Sequence, residues 1–155
     1  MADPRSDVVW DGIGAENVTF IIDNSTIVYS STANYGSASV GLAVTLTTSE
    51  TVALVGDGEG VLGKLISVDS DNFAVVQVKG FMKLPGGSGA TLTNMKSIVG
   101  DLGASSAKGY VREVATGTAA ELGVARGFIV DPTLSRRATR SLTSCRPAAE
   151  RRGCL

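Results

Sequence analysis

The chain has 155 residues, which suits one domain with tails, and a hydrophobic content of 43 % allows a buried core. It contains no histidine, which excludes Ser-His-Asp and Cys-His catalysis and removes the commonest zinc and iron ligand. Residues 1–131 have 8 basic and 14 acidic side chains (net −6), whereas residues 132–155 have 6 and 1 (net +5). An acidic body excludes a protein that coats nucleic acid, because such binding depends on phosphate neutralisation.

Residues 1–16 are polar with isolated apolar side chains, and we interpret them as an extended N-terminal arm. The four apolar residues proposed as partner-binding anchors are Val8, Val9, Trp10 and Ile13. Trp10 is the single tryptophan of the chain, and a large aromatic side chain brings much buried area to an interface. The alternative is that Trp10 packs on the edge of its own domain.

Residues 17–131 have the composition of an all-β domain, because β-branched residues and 19 glycines disfavour helices and suit short strands between tight turns. Gly, Asn and Asp clusters separate the apolar runs at short intervals, which is typical of a barrel or sandwich. The predicted strands are Val18–Asp23, Thr26–Ser30, Ser39–Leu46, Thr51–Val55, Val61–Val68, Asn72–Lys79, Thr91–Leu92, Ser97–Val99, Tyr110–Val114 and Gly127–Val130.

The clearest unit is an antiparallel hairpin over Val61–Lys79. Apolar side chains alternate on both of its predicted strands, so that Leu65 lies on one face and Val68 on the other. The polar turn between them ends in Asn72, a residue type that tolerates left-handed backbone conformations.

One short helix is predicted over Thr118–Leu122. Thr118 and Glu121 have the spacing of a capping box, and Gly123 would end the helix. After Pro132 the composition changes to Arg, Ser, Ala and Thr, so residues 132–155 are interpreted as a basic, flexible C-terminal tail. Both cysteines, Cys145 and Cys154, lie in this tail, and the fold is therefore not expected to depend on a disulfide.

The glycines Gly58, Gly60 and Gly63 match the GxGxxG pattern of dinucleotide-binding sites. That site requires a helix directly after the glycines, whereas the residues that follow have the pattern of a strand. We therefore interpret the segment as a turn and predict no cofactor, no metal and no small-molecule substrate. An enzyme of this composition would have to work through carboxylates and lysines alone.

Several segments between Thr51 and Pro132 resemble the capsid decoration (head-stabilising, cement) proteins of tailed phages. The similar segments are Gly60–Lys64, Gly80–Pro85, Ile98–Gly100 and Ala125–Asp131. The resemblance implies a small β-barrel or β-sandwich, β-tulip-like, on the outer surface of a phage capsid. It further implies a homotrimer that binds the major capsid protein, with an N-terminal arm that reaches across neighbouring subunits.

From these observations we expect a structural virion protein, not an enzyme, that is made in the host cytoplasm and stabilises the phage head. Phe81, Met82 and Leu84 form a second candidate interface with the capsid, and the alternative for these three residues is ordinary core. No membrane span is predicted, since no apolar run reaches about 18 residues. No specific nucleic-acid partner is predicted either, because the body is acidic. The alternative function is a phage fibre, spike or receptor-binding β module.

Overall fold

The computed structural model describes residues 11–116, 118–130 and 132. Within these residues the protein is mostly β, with a closed five-stranded barrel, a smaller second sheet and one short helix, which confirms the predicted fold class of a small all-β barrel. The elements in chain order are β1 (Glu16–Ile22), β2 (Ala43–Leu46), β3 (Thr51–Leu54), β4 (Gly63–Val68), β5 (Phe73–Lys79), β6 (Ser97–Asp101), β7 (Tyr110–Glu113), α1 (Ala119–Val124) and β8 (Gly127–Phe128).

The barrel strands follow the order β1-β3-β2-β4-β5, and β5 pairs with β1 to close the sheet. Four of the five pairings are antiparallel, and β1 runs parallel to β3 with Ile21 opposite Thr51. Closure leaves every barrel strand with two neighbours, which removes the exposed edges that open sheets present for aggregation. The five barrel strands therefore pair with one another and leave no strand of the barrel unpaired on one side.

The predicted hairpin is confirmed as β4 and β5, and Asn72 in its turn has a φ of 64°. The register shifts between Leu65 and Ser67, so Ile66 is an extra residue without a partner on β5. A β-bulge of this kind reverses the alternation of faces beyond it. Leu65 and Val68 therefore both point into the barrel core, and the prediction that they lie on opposite faces is wrong.

Apolar side chains from all five strands fill the barrel. Val44 and Val52 come from the adjacent strands β2 and β3, and both are fully buried. The buried core residues of the barrel are Ile22, Ile27, Val44, Val52, Leu54, Leu65, Val68, Ala74 and Val76. Branched aliphatic residues predominate, because they pack well on a pleated surface.

The second sheet has the order β7-β6-β8 and lies against one side of the barrel. A separate core cluster joins the two bodies, with Val55 and Val61 from the barrel side and Val111 from β7. Gly100 on β6 approaches the Gly56 carbonyl so closely that a Cβ atom would overlap it. The absence of a side chain at Gly100 therefore permits the tight contact between sheet and barrel.

Two predicted strands are not strands in the structure. Residues 26–30 follow a turn in which the Asp23 carboxylate accepts hydrogen bonds from the backbone N–H groups of Thr26 (2.9 Å) and Ile27 (3.0 Å), so side-chain bonds replace strand pairing. Residues 91–92 form no strand either. The strand predicted over Ser39–Leu46 is shorter, because residues 38–42 turn before β2 begins.

The predicted helix is present as α1 with Thr118 as its N-cap residue, as predicted, but the predicted capping box and the predicted end at Gly123 are wrong. Thr118 forms no side-chain capping bond, and the helix continues through Gly123 to Val124. The Glu121 carboxylate, which a capping box would direct back to Thr118, instead binds Arg112 on β7. A tertiary ion pair has therefore replaced the local cap.

Candidate partner-binding surface

Residues 11–14 are bound to the corner that follows β5. The Gly12 N–H donates a hydrogen bond to the Phe81 carbonyl (2.8 Å), and the Phe81 N–H donates one to the Ile13 carbonyl (2.9 Å). Gly80 has a φ of +91°, and a Cβ there would lie 2.6 Å from the Ile13 oxygen. Glycine at position 80 thus allows the two segments to cross, and we name residues 11–14 with Gly80–Lys83 the docking corner.

Side chains reinforce the docking corner. Asp11 accepts a hydrogen bond from the Lys83 N–H (2.9 Å) and forms an ion pair with Lys64 (3.3 Å). The buried Gln77 amide donates to the carbonyls of Lys79 and Phe81 at 3.2 Å each. The Asp11 bonds join the N-terminal residues to β4 and to the segment after β5, and the Gln77 bonds stabilise the turn after β5. Together they fix the point at which the chain enters the barrel.

The structure brings Ile13 and Phe81 together, although they were predicted as parts of two separate interfaces. Ile13 is 50 % exposed and Phe81 is half-buried. Met82 is also half-buried and packs against the core cluster between barrel and second sheet, to which the buried Leu84 belongs. Ile13 and Phe81 are therefore the two predicted site residues that adjoin each other at the docking corner.

The predicted anchors Val8, Val9 and Trp10 lie outside the described residues. They immediately precede Asp11 in the chain, so they are covalently joined to the docking corner. Of the predicted arm over residues 1–16, the described part over residues 11–16 is attached to the barrel and leads into β1 at Glu16.

Arg112 on β7 forms an ion-pair network with Asp57, Asp101 and Glu121. Its guanidinium lies 2.7 Å from Glu121, 3.0 Å from Asp57 and 3.9 Å from Asp101. Hydrogen bonding to Glu121, followed by that to Asp57, raises the pKa of Arg112. The hydrogen bond from Arg112, together with one from the Ala115 N–H, lowers the pKa of Glu121 to about 2.

Each guanidinium nitrogen has a partner within the network. Nε binds Asp57, Nη1 binds Glu121 and the Glu113 carbonyl, and Nη2 binds Glu121. The loop around Asp57, the strand β7 and the helix α1 are thereby held together. We assign these residues a stabilising role.

Sequence reasoning missed a second exposed surface on the outer face of the barrel. An open groove of about 380 Å³ lies between β1, β4, β5 and the turn at Asn34–Gly36. Its rim includes Tyr35, which is 74 % exposed, and Phe73, which is 47 % exposed. We name this surface the aromatic groove; the signal for it in the sequence was the large aromatic residue between Asn34 and Gly36.

In the described part of the chain, no cluster of three or more Asp, Glu, His or Cys side chains has the arrangement of a metal site. None of the helices among the same residues combines the length and the apolar character that a bilayer-crossing segment needs. Comparison of the chain with protein-family models, with curated proteins and with solved structures gave no match.

Proposed function

We propose that this chain is a capsid decoration protein of a tailed phage, which binds the major capsid protein on the outer surface of the head and stabilises the shell. The docking corner is the observation that carries the proposal. It fixes the exit point of the N-terminal residues by backbone bonds between Gly12, Ile13 and Phe81 and by the contacts of Asp11. The segment with Val8, Val9 and Trp10 is joined through Asp11 to this corner.

Such an arrangement suits a protein that connects neighbouring subunits. A closed barrel supplies stiffness, and a short apolar segment with a tryptophan supplies buried area on a partner. Ile13, which is exposed and lies three residues after Trp10, adds a further apolar side chain. If three copies assemble, several modest contacts act together and the apparent affinity rises by multivalency.

The sequence resemblance to decoration proteins supports the same function and extends it to a homotrimer in the virion. The lack of histidine is consistent with a protein that holds partners without chemical turnover. The competing function is a fibre, spike or receptor-binding module, which shares the β architecture but would bind a cell-surface ligand.

The test is co-sedimentation with undecorated shells of the phage that encodes the chain. We expect the full chain to pellet with shells and to raise the temperature at which they rupture. A variant without residues 1–10, which retains the docking corner, should lose most of this binding. Trp10→Ala should weaken it about 30-fold, the cost of losing an interfacial hot spot.

Phe128→Ala is the matched control, because Phe128 is an exposed aromatic residue (58 %) in β8 of the second sheet, not in the docking corner. It should bind shells as the full chain does. Full binding by the variant without residues 1–10 would contradict the role of the arm. Failure of the full chain to bind shells, combined with binding on a glycan array, would favour the receptor-binding alternative.

A further inference from the structure

The aromatic groove combines two exposed rings with polar groups. Tyr35 and Phe73 lie at its rim. Its lining also includes Thr19, Ser67, Asp69 and Val75. On the barrel wall, Thr19 pairs with Val75 and Ile21 pairs with Phe73, so the apolar surface continues along β1 and β5. Ile21 itself is 38 % exposed. The surface is thus an apolar strip with a carboxylate at one end.

The protein holds Tyr35 on this rim by an unusual backbone. Tyr35 has a φ of +56°, a conformation that bulky residues rarely adopt. The adjacent Gly36 is pressed against the Val68 carbonyl so closely that no Cβ would fit, and its own carbonyl accepts a hydrogen bond from the Ser30 N–H (2.8 Å). A strained backbone that presents a largely exposed ring indicates a contact site.

The acidic groups around the groove have no cationic partner within the described residues. Among the described residues, the Asp69 carboxylate accepts hydrogen bonds from the N–H and hydroxyl of Ser70 and forms no ion pair, and Asp71 and Glu50 form no ion pair either. The Glu50 carbonyl accepts a hydrogen bond from the Ile21 N–H (2.9 Å), so Glu50 lies beside Ile21, at the end of the apolar strip. Aromatic faces beside unpaired carboxylates are the environment that a guanidinium group prefers.

We infer that the arginine-rich segment over residues 133–155 docks in the aromatic groove of its own molecule, with arginine side chains against Tyr35 and Phe73 and near Asp69. The segment supplies six arginines and one acid, whereas residues 1–131 have a net charge of −6. Its six arginines are Arg136, Arg137, Arg140, Arg146, Arg151 and Arg152.

The length of the segment permits this contact. Twenty-three residues follow Pro132, and a fully extended chain of that length spans about 75 Å. A domain of about 120 residues has a radius of gyration of only about 14 Å, so every part of the barrel surface is within reach. Because the segment is tethered to its own barrel, its effective concentration there is about millimolar, and weak contacts suffice.

The two native cysteines make the segment easy to observe, because both Cys145 and Cys154 lie within it. A nitroxide on Cys145 of the full-length Cys154→Ser variant should reduce the NMR amide signals of Tyr35, Phe73 and their neighbours. The Tyr35→Ala/Phe73→Ala double variant should weaken docking about two- to fivefold per ring removed, and 1 M salt should weaken it further. Phe128→Ala should leave the pattern unchanged.

Three outcomes would overturn this inference. One is equal signal loss over the whole surface, or none. Another is loss centred on residues outside the aromatic groove. The third is loss of the same size when spin-labelled, unenriched protein is mixed with unlabelled, ¹⁵N-enriched protein, since that requires contact between molecules. The result does not depend on capsid binding, so the two proposals fail or succeed separately.

Discussion

Arg112 shows how one side chain organises the region between the barrel and the second sheet. It lies on β7 and reaches Asp57 in the loop after β3 and Glu121 on α1, at distances of 3.0 and 2.7 Å. The Glu121 carboxylate also accepts a hydrogen bond from the Ala115 N–H at 2.9 Å. The charged form of Glu121 is therefore favoured in the folded protein, as its lowered pKa indicates.

This arrangement predicts a pH dependence for the substitution Glu121→Gln. The pKa of Glu121 is about 2 in the folded protein against an ordinary 4.5, so its ionisation stabilises the fold above about pH 4.5 and ceases to do so as the pH falls towards 2. The variant should melt at a lower temperature than the unmodified protein at neutral pH, and the difference should shrink through this window.

Thermal unfolding followed by circular dichroism across that pH range provides the measurement. Glu50→Gln is the control, since Glu50 is an exposed glutamate without an ion pair in the described residues, and its profile should follow that of the unmodified protein. A difference for Glu121→Gln that stays constant with pH would show that the ion pair is not its cause.

Asp23 is the residue that determines the turn after β1. Its carboxylate accepts bonds from the Ser25 hydroxyl (2.5 Å), the Thr26 hydroxyl (2.8 Å) and two backbone N–H groups, and the Thr26 hydroxyl in turn accepts from the Leu54 N–H (2.8 Å). Partial burial tends to raise the pKa of Asp23, but the hydrogen bonds from Ser25, Ile27 and Thr26 outweigh it and lower that pKa.

We expect Asp23→Ala to destabilise the protein by about 1–3 kcal/mol, because several donors lose their acceptor at once. The free energy of unfolding in urea measures the effect. Asp71→Asn, a substitution in the exposed turn between β4 and β5, should change it by less than about 0.5 kcal/mol. Equal effects of the two substitutions would contradict the importance of the Asp23 turn.

At the scale of elements, the sequence was most informative where the pattern is long and local. The hairpin of β4 and β5 could be predicted, because alternating apolar residues flank a polar turn. The bulge at Ile66 could not, since one extra residue leaves the apolar composition of the strand unchanged. The predicted capping box of α1 did not form because Arg112, nine residues before Glu121, binds the Glu121 carboxylate instead.

Two glycine substitutions test the packing of these elements. A Cβ on Gly63 in β4 would overlap the Gln77 carbonyl of β5, whereas a Cβ on Gly123 in α1 meets nothing within 4 Å. Gly63→Ala should therefore cost about 3 kcal/mol, the upper part of the usual range for overpacking. Gly123→Ala should stabilise by about 1 kcal/mol, because alanine favours a helix interior.

Both values can be measured as free energies of unfolding in urea. The pair has opposite expected signs for the same chemical change, so each variant controls for the other. Destabilisation by both substitutions would mean that α1 does not tolerate a side chain at position 123, contrary to the open space seen there.

At the scale of the whole molecule, an all-β body could be predicted, but its topology could not. The parallel pairing of β1 with β3 and the separation of β6, β7 and β8 into a second sheet arise from contacts between distant residues, which periodicity does not encode. Likewise, nothing in the sequence indicated that Ile13 and Phe81 adjoin. The aromatic groove escaped prediction because its lining comes from four separated segments.

The single tryptophan offers a test of the proposed arm. If Trp10 becomes buried on a capsid subunit, its fluorescence emission should shift to shorter wavelength and become protected from iodide quenching when shells are added. Titration of shells against fixed protein gives the measurement. Shell binding without any change in Trp10 emission would count against the arm as the anchor.

Closure of the barrel has a consequence for how the protein is made. The seam between β1 and β5 joins Ile21 to Phe73, 52 residues later, and Glu16 to Lys79, 63 residues later. On the ribosome, β1 must therefore wait, unpaired on that side, until β5 has emerged from the exit tunnel. Strand pairs between residues distant in sequence form slowly, and a strand that has not yet paired is prone to aggregate with other nascent chains. Slower translation at the stage when residue 79 has just left the exit tunnel should favour correct seam formation and so raise the yield of soluble protein.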